Sequence, residues 1–381
     1  MPWVHFHVAD KGVVKACCVA QIPLGNVNTD SYASIWNGKP IQVLREKFLS
    51  SEPDSRCKVC INQELAGAKS IRQETWDKFK TLSEFPIIQD DFPTYFDIRF
   101  SNVCNFRCRT CWQGASSKWH SEAVQLGRTK SKQAILLNIN HFESFILEYG
   151  PALKQAKEIY FAGGEPLITE AHYQLLEWLI LNGNHTCRLR YNTNFSTLKF
   201  KGYDLIALWQ RFENIEIMAS IDASDELGEY IRKDMNWETI LKNRELIRNE
   251  SHIHFKVSPT VSILSIYHLP DLYQTLLEKN MIAESDFYFN ILDRPRYYNI
   301  KAFKPEQKHE ISTKYNRFYH WAAQHSVPKE IINGFKSCIN FMNTEDLSNQ
   351  WSKFLKETAQ IDQIRTENLM SWWFNALKLN E

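Results

Sequence analysis

Three cysteines, Cys104, Cys108 and Cys111, fall within eight positions of the stretch RFSNVCNFRCRTCW, at the spacing C-x3-C-x2-C. Thiolates this crowded suit a metal or a cluster. A structural zinc site is closed by four ligands, and a four-iron cluster normally takes four thiolates. With three, one iron of such a cluster stays open to a ligand from outside the protein. Four more cysteines lie upstream: Cys17 and Cys18 are adjacent, and Cys57 and Cys60 form C-x2-C. Cys187 and Cys338 stand alone and read as inert core. Further along, Gly163-Gly164-Glu165-Pro166, Asn192-Thr193-Asn194, and Ser220 and Asp222 in SIDAS punctuate the chain with glycine and polar groups.

These groups need elements to position them. From residue 94, strand-like runs (YFDIRFS, KEIYFAG, CRLRYNT, IEIMASID, IHFKVSPTVSI, DFYFNIL) alternate with helical ones (AILLNINHFESFILEYG, AHYQLLEWLILNG, LIALWQRF, WETILKNRELIRN, LPDLYQTLLEKN). Six β/α repeats over about 200 residues predict an α/β fold with a parallel sheet and right-handed crossovers, a partial (β/α)6 barrel. The cysteine triplet follows the first strand, GGEP the second, NTN the third and SIDAS the fourth. Parallel strands would bring all of them to one C-terminal face, where barrels carry their chemistry.

Residues 1–90 read as a small metal-bound unit: a hairpin of VHFHV and VVKAC across ADKG, a helical stretch from YASIW to IQVLREKFL capped by Asp30 or Ser31, and a loop, SEPDSRCKVC, carrying the second cysteine pair. FPIIQDDFP links it to the barrel, residues 91–300. Residues 301–381 form a helical extension whose end, LMSWWFNALK, fits a helix packed on the barrel.

Composition excludes several classes. With 44% hydrophobic residues the chain can build a large core. A net charge of +1 gives no footprint for nucleic acid or an anionic membrane. The N-terminus lacks the pattern of a signal peptide and no apolar run could span a bilayer, so a cytoplasmic protein is expected. There thiols stay reduced, and nine cysteines make no disulfide framework.

The triplet after a first strand, with GGEP after the second, resembles the radical S-adenosylmethionine (SAM) superfamily over residues 94–295. The resemblance implies a [4Fe-4S] cluster on Cys104, Cys108 and Cys111. SAM chelates its open iron, and an electron from a flavodoxin- or ferredoxin-type donor cleaves a carbon–sulfur bond to give a 5′-deoxyadenosyl radical. It implies SAM contacts at Gly163, Gly164, Glu165 and Pro166 for the amino group, Ser220 and Asp222 for the ribose, Asn194 in the same pocket and Arg232 for the carboxylate. Thr110 stands where many members have an aromatic residue near the adenine. The pattern PWVHFHV…G-x4-C…LGN…IWN…C-x2-C, with Gly12 before Cys17, resembles a twitch or SPASM-type auxiliary cluster domain, here ahead of the barrel. It implies a second iron–sulfur cluster on Cys17, Cys57 and Cys60. Relatives often carry a cysteine before the Pro-Trp. Here Met1 precedes Pro2 and Trp3, so either the start is displaced or the ligand set differs, with Cys18 or an open position as the fourth. By analogy with relatives, the substrate is a peptide that loses a hydrogen atom.

Plainer readings stand beside these. The upstream cysteines, alone or with His5 or His7, could make a zinc knuckle. His5 and His7 share one strand face and read as packed or solvated. Cys17 and Cys18 would point to opposite faces of a regular strand, which favours Cys17. Ser220 and Asp222 could cap a helix, and Asn192 and Asn194 could serve turns. A sugar or small-metabolite substrate, or a non-catalytic metal-binding module, are the alternative functions.

Overall fold

The computed structural model describes residues 2–52, 54–65, 70–79, 85–368 and 373. The chain runs β1 (His5–Val8), β2 (Val13–Lys15), β3 (Pro23–Asn26), α1 (Tyr32–Trp36), α2 (Lys39–Leu49), α3 (Lys58–Leu65), α4 (Ile71–Phe79), β4 (Tyr95–Ile98), α5 (His120–Gln125), α6 (Phe142–Leu153), β5 (Glu158–Phe161), α7 (Glu170–Leu181) and β6 (Arg188–Thr193). It continues through β7 (Lys199–Phe200), β8 (Tyr203–Asp204), α8 (Leu205–Trp209), β9 (Ile215–Ala219), α9 (Asp225–Ile231), α10 (Trp237–Leu246), β10 (Ile253–Val257) and β11 (Thr260–Val261). It closes with α11 (Leu269–Glu278), β12 (Asn290–Ile291), α12 (Pro305–Gln324), α13 (Lys329–Asn343) and α14 (Trp351–Arg365). Eight strands form one mostly parallel sheet, in the order β10-β9-β6-β5-β4-β1-β2-β3. The chain divides into two compact units: Met1–Val103 with Ile135–Asn192 and Lys199–Glu216, and Cys104–Ala134 with Thr193–Leu198 and Ile217–Glu381.

In the first unit the register of four parallel strands explains the core. Phe6, Phe96, Ile159 and Leu189 lie in one row across β1, β4, β5 and β6, and Val8, Ile98, Phe161 and Tyr191 lie in another. All eight are fully buried, each fully buried aliphatic or Phe side chain contributing roughly 1.5–3 kcal/mol. The alternate rows, on the other face, are polar: His5, Tyr95, Glu158 and Arg188, then His7, Asp97, Tyr160 and Arg190. The charges there are paired. Glu216 accepts from Arg188 and Arg190 at 2.7 Å each, and Glu158 accepts from Arg190 at 3.2 Å and pairs with Lys78 of α4. Phe79 of the same helix stacks on Tyr95, so α4 covers the start of this polar face.

The hairpin across ADKG forms, with His7 opposite Lys15, and Ser31 caps α1 by accepting from the Ser34 N–H. β1 also pairs in parallel with β4, so the N-terminal hairpin is part of the large sheet. Cys57 ends a 3-10 turn and Cys60 lies in α3, so a helical segment, not a loop, carries that pair. Residues 134–141 are not helical. Leu136 and Asn138 bond backbone to backbone with Asn102 and Phe100, and Asn102 Oδ1 accepts the Leu136 N–H, so this stretch runs along the end of β4 and α6 starts only at Phe142. DFYFNIL contributes to the large sheet only a parallel bridge from Phe287 to Val257, and its β12 pairs with β11 in a separate two-stranded sheet.

In the second unit α12 buries Ile311, Tyr315, Phe318 and Ala322, and α13 buries Ile331, Phe335, Cys338 and Met342. The i, i+4, i+7 spacing puts each set on one face, and Phe335 meets Tyr273, Phe287 and Phe318. LMSWWFNALK lies outside the described residues, except Trp373, which is buried against Phe303, Trp351 and Phe354.

Candidate active site

Cys104, Cys108 and Cys111 sit on a loop whose backbone is fastened at several points within the second unit. The N–H groups of Arg107 and Arg109 donate to the carbonyls of Lys233 and Ile231. Asn105 donates to Ser196 at 2.9 Å and accepts from Asn194 at 2.8 Å, so Asn194 ties down the loop as well as ordering its own turn. Cys111 N–H closes a turn on the Cys108 carbonyl at 3.0 Å. Burial pushes the Cys108 thiol well above its ordinary pKa, against the opposing pull of Arg232, and the nearby Cys111 and Cys104 push it the same way as burial.

A buried cation faces the Cys108 sulfur. Arg232 Nη1 lies 3.7 Å from Cys108 Sγ, while its Nη2 donates to Asp222 at 2.9 Å. Burial works against the Arg232 charge, but Asp222 and then Cys108 outweigh it and hold its pKa above the usual value. Asp222 is fully buried and Oδ1 also accepts the Thr260 N–H, leaving Oδ2 without a protein partner. The carboxylate is thus committed first to orienting Arg232. Ser220 is half-buried at the end of β9, with its N–H on the Thr193 carbonyl, and neither it nor Asp222 caps α9.

The GGEP turn belongs to the first unit. Gly163 and Gly164 have φ of +81° and +58°, and a Cβ on Gly164 would meet the Val103 carbonyl oxygen at 2.2 Å. Glu165 N–H donates to that same carbonyl at 2.7 Å, and its carboxylate accepts the Leu167 N–H. Only glycine allows this turn to press on Val103, the residue that leads into Cys104.

A second cysteine group lies in the first unit. Cys17, Cys57 and Cys60 line one cavity, with Arg56 and Arg72 on its wall. Burial raises the Cys57 thiol to about 11, helped by the Cys17, Asp54 and Cys60 charges. Cys17 Sγ accepts the Ala20 N–H at 3.1 Å. Cys18 does not line this cavity. Burial and then the charge of Asp97 push its thiol to about 12. His5 and His7 do not line the cavity either.

Comparison with known proteins now bears on these groups. A model of the Radical SAM superfamily matches residues 98–267, and a model of the SPASM iron–sulfur cluster-binding domain matches residues 1–61. Residues 98–267 are thus a radical SAM domain and residues 1–61 a SPASM domain. No curated protein sequence matches it. Among solved structures it is similar to native anSMEcpe with bound AdoMet, at 19% identity over 63% of this chain and 62% of that one, with a TM-score of 0.41. It is similar to SuiB of Streptococcus suis bound to the precursor peptide SuiA, at 12% identity over 76% and 60%, TM-score 0.42. It is also similar to TYW1 with a lysine–pyruvate adduct, at 15% identity over 60% and 71%, TM-score 0.31. The chain spans about 60% of the length of the first two. A radical SAM domain implies a [4Fe-4S] cluster with SAM, and a SPASM domain implies auxiliary iron–sulfur binding. The donor sets fit both. Each group offers three thiols, in one case beside the buried Arg232 and in the other beside Arg56 and Arg72, which are partly exposed, and cations offset the negative charge of thiolate-bound clusters. Among the described residues no helix is long and apolar enough to cross a membrane.

Arg107, Arg109 and Glu122 are the site residues that motif reading missed. Arg109 is fully buried, stacks 3.5 Å over Tyr230 and pairs with Asp362 and Glu367. Arg365 donates to Glu122 and to the Arg107 carbonyl, both at 2.7 Å. The end of α14 is therefore strapped to the cysteine loop. Two arginines inside the C-x3-C-x2-C motif were the available signal.

Proposed function

We propose that this protein is a radical SAM enzyme that reductively cleaves SAM at Cys104, Cys108 and Cys111 and abstracts a hydrogen atom from a peptide, within a partial (β/α)6 barrel. When bound, the cluster supplies the electron for that cleavage. The observation that carries the reading is the fastened three-cysteine loop with Arg232 at 3.7 Å from Cys108. The chain's own residues hold and orient. Asp222 fixes the Arg232 guanidinium, whose free edge is a suitable partner for a carboxylate. The carbonyls of the glycine turn suit an ammonium group, and Ser220 offers a hydroxyl for a ribose. Trp112, 58% exposed just after Cys111, supplies the aromatic surface that Thr110 lacks. The peptide class is supported by the SPASM match and by an apolar cleft of about 650 Å³ lined by Trp3, Phe48, Trp76, Phe79 and Phe85.

The test is anaerobic reconstitution, reduction and incubation with SAM. 5′-Deoxyadenosine should form, and Cys108→Ala should abolish it while the fold persists. No 5′-deoxyadenosine from cluster-loaded protein would overturn the reading. A peptide substrate should raise its yield and, when deuterated at the reacting carbon, pass deuterium into it.

A further inference from the structure

The polar face of the sheet holds one group that the clusters do not use. His5 and His7 on β1 and Asp97 on β4 each offer a ligand atom, and these atoms all lie within 4.8 Å of one another. All three side chains are buried, at 1%, 2% and 1% exposure. The register produces the group: His7 sits opposite Asp97, and His5 is two positions back on the same face.

Ordinary packing leaves the His5 ring unsatisfied, while His7 and Asp97 face each other at ion-pair distance. Neither ring nitrogen of His5 has a hydrogen-bond partner, although the ring stacks on Tyr95 at 4.3 Å. His7 Nδ1 lies 2.8 Å from Asp97 Oδ2, yet neither atom makes an aligned hydrogen bond. Buried imidazoles normally find a partner. Two unpartnered nitrogens on one ring, a second ring and a carboxylate oxygen converging within a few ångströms form a donor set that lacks its acceptor. Asp97 Oδ1 meets Arg99 Nε at 3.4 Å, the outer contact that steadies a ligating carboxylate. Burial holds the His5 ring in its neutral, ligating form, pushing its pKa down to about 3.

We propose that His5, His7 and Asp97 form a binding site for one divalent transition-metal ion of the zinc or iron(II) type. Two imidazoles and a carboxylate suit that class, and three protein ligands leave a position open to water or an oxygen donor. This site uses none of the cysteines and does not depend on SAM cleavage.

The probe is zinc, added to anaerobically reconstituted protein whose cysteines already carry iron and sulfide, followed by desalting. About one zinc per chain should remain, with the iron content unchanged. The zinc X-ray absorption edge should show nitrogen and oxygen neighbours at about 2.0–2.1 Å and no sulfur at about 2.3 Å. His5→Ala and Asp97→Asn should each cut retained zinc at least tenfold while iron stays constant. Absence of zinc from the wild-type protein, or sulfur in its first coordination shell, overturns the proposal. That absorption measurement needs no variant, so it decides the matter even where a substitution impairs folding.

Discussion

At the scale of single residues, the site depends on buried charges and rings whose partners are specific. Asp222→Asn would leave Arg232 buried without its counter-charge, and breaking such a pair costs about 3–5 kcal/mol. Urea unfolding should show that loss, together with reduced retention of the Cys108 cluster. An unaltered midpoint would mean that Arg232 has found another partner. His172 gives a pH prediction. Burial lowers its pKa from 6.5 to about 3, and its Nε2 meets only the Tyr191 hydroxyl, at 3.1 Å. Below pH 6.5 the unfolded chain takes up a proton that the folded chain refuses. Stability contributed by this group is therefore intact above pH 6.5 and falls as the pH drops towards 3, by up to about 1.4 kcal/mol per pH unit. His172→Phe should flatten that slope in urea titrations run across the window, and an unchanged slope would exonerate His172. The cysteines, the glycine turn and Asn194 stood out in the sequence as candidates because their types and spacing are distinctive. The Asp222–Arg232 pairing did not, since a separation of ten residues across a turn and a helix says nothing about which polar group faces which.

At the scale of elements, the strap between α14 and the cysteine loop matters most. Arg365 is fully buried as a side chain and meets Glu122, which is itself almost fully buried. Arg365→Met would strand Glu122 with Arg107 as its remaining cation. We expect a loss of about 2–4 kcal/mol and a faster bleaching of the iron–sulfur absorbance under chelator. Bleaching at the wild-type rate would show that the loop does not need α14. Strands β4, β5, β6, β9 and β10 were readable from their apolar and β-branched runs. AILLNIN misled because its aliphatic residues mimic a helical stripe, while its asparagines bond along the end of β4. The placement of β1 beside β4 was hidden because parallel pairing between distant segments leaves no local mark. The alternation in HFHV, YFDI, EIYF and RLRY was the trace of it, with polar residues and tyrosines on one face and mostly apolar ones on the other.

At the scale of the whole molecule, two cysteine groups in two compact units predict the cofactor load. Anaerobic reconstitution should give about eight irons per chain, the sum of two four-iron clusters. The double variant Cys57→Ala, Cys60→Ala should hold about half. Four irons in the wild-type protein would leave the cavity of Cys17, Cys57 and Cys60 to another metal. The pairing of β1 with β4 has a further consequence, in the order of synthesis. β1 leaves the ribosome ahead of β4, with β2 close behind it to pair on one edge. Its other edge is reserved for β4, with His5 awaiting Tyr95, 90 positions later. At translation speeds of about 5–20 residues per second that partner arrives roughly 5–18 s afterwards. Throughout that interval Phe6 and Val8 sit on a strand with an open edge, the kind that recruits other nascent chains. A fragment ending before Tyr95 should keep that edge permanently and self-associate.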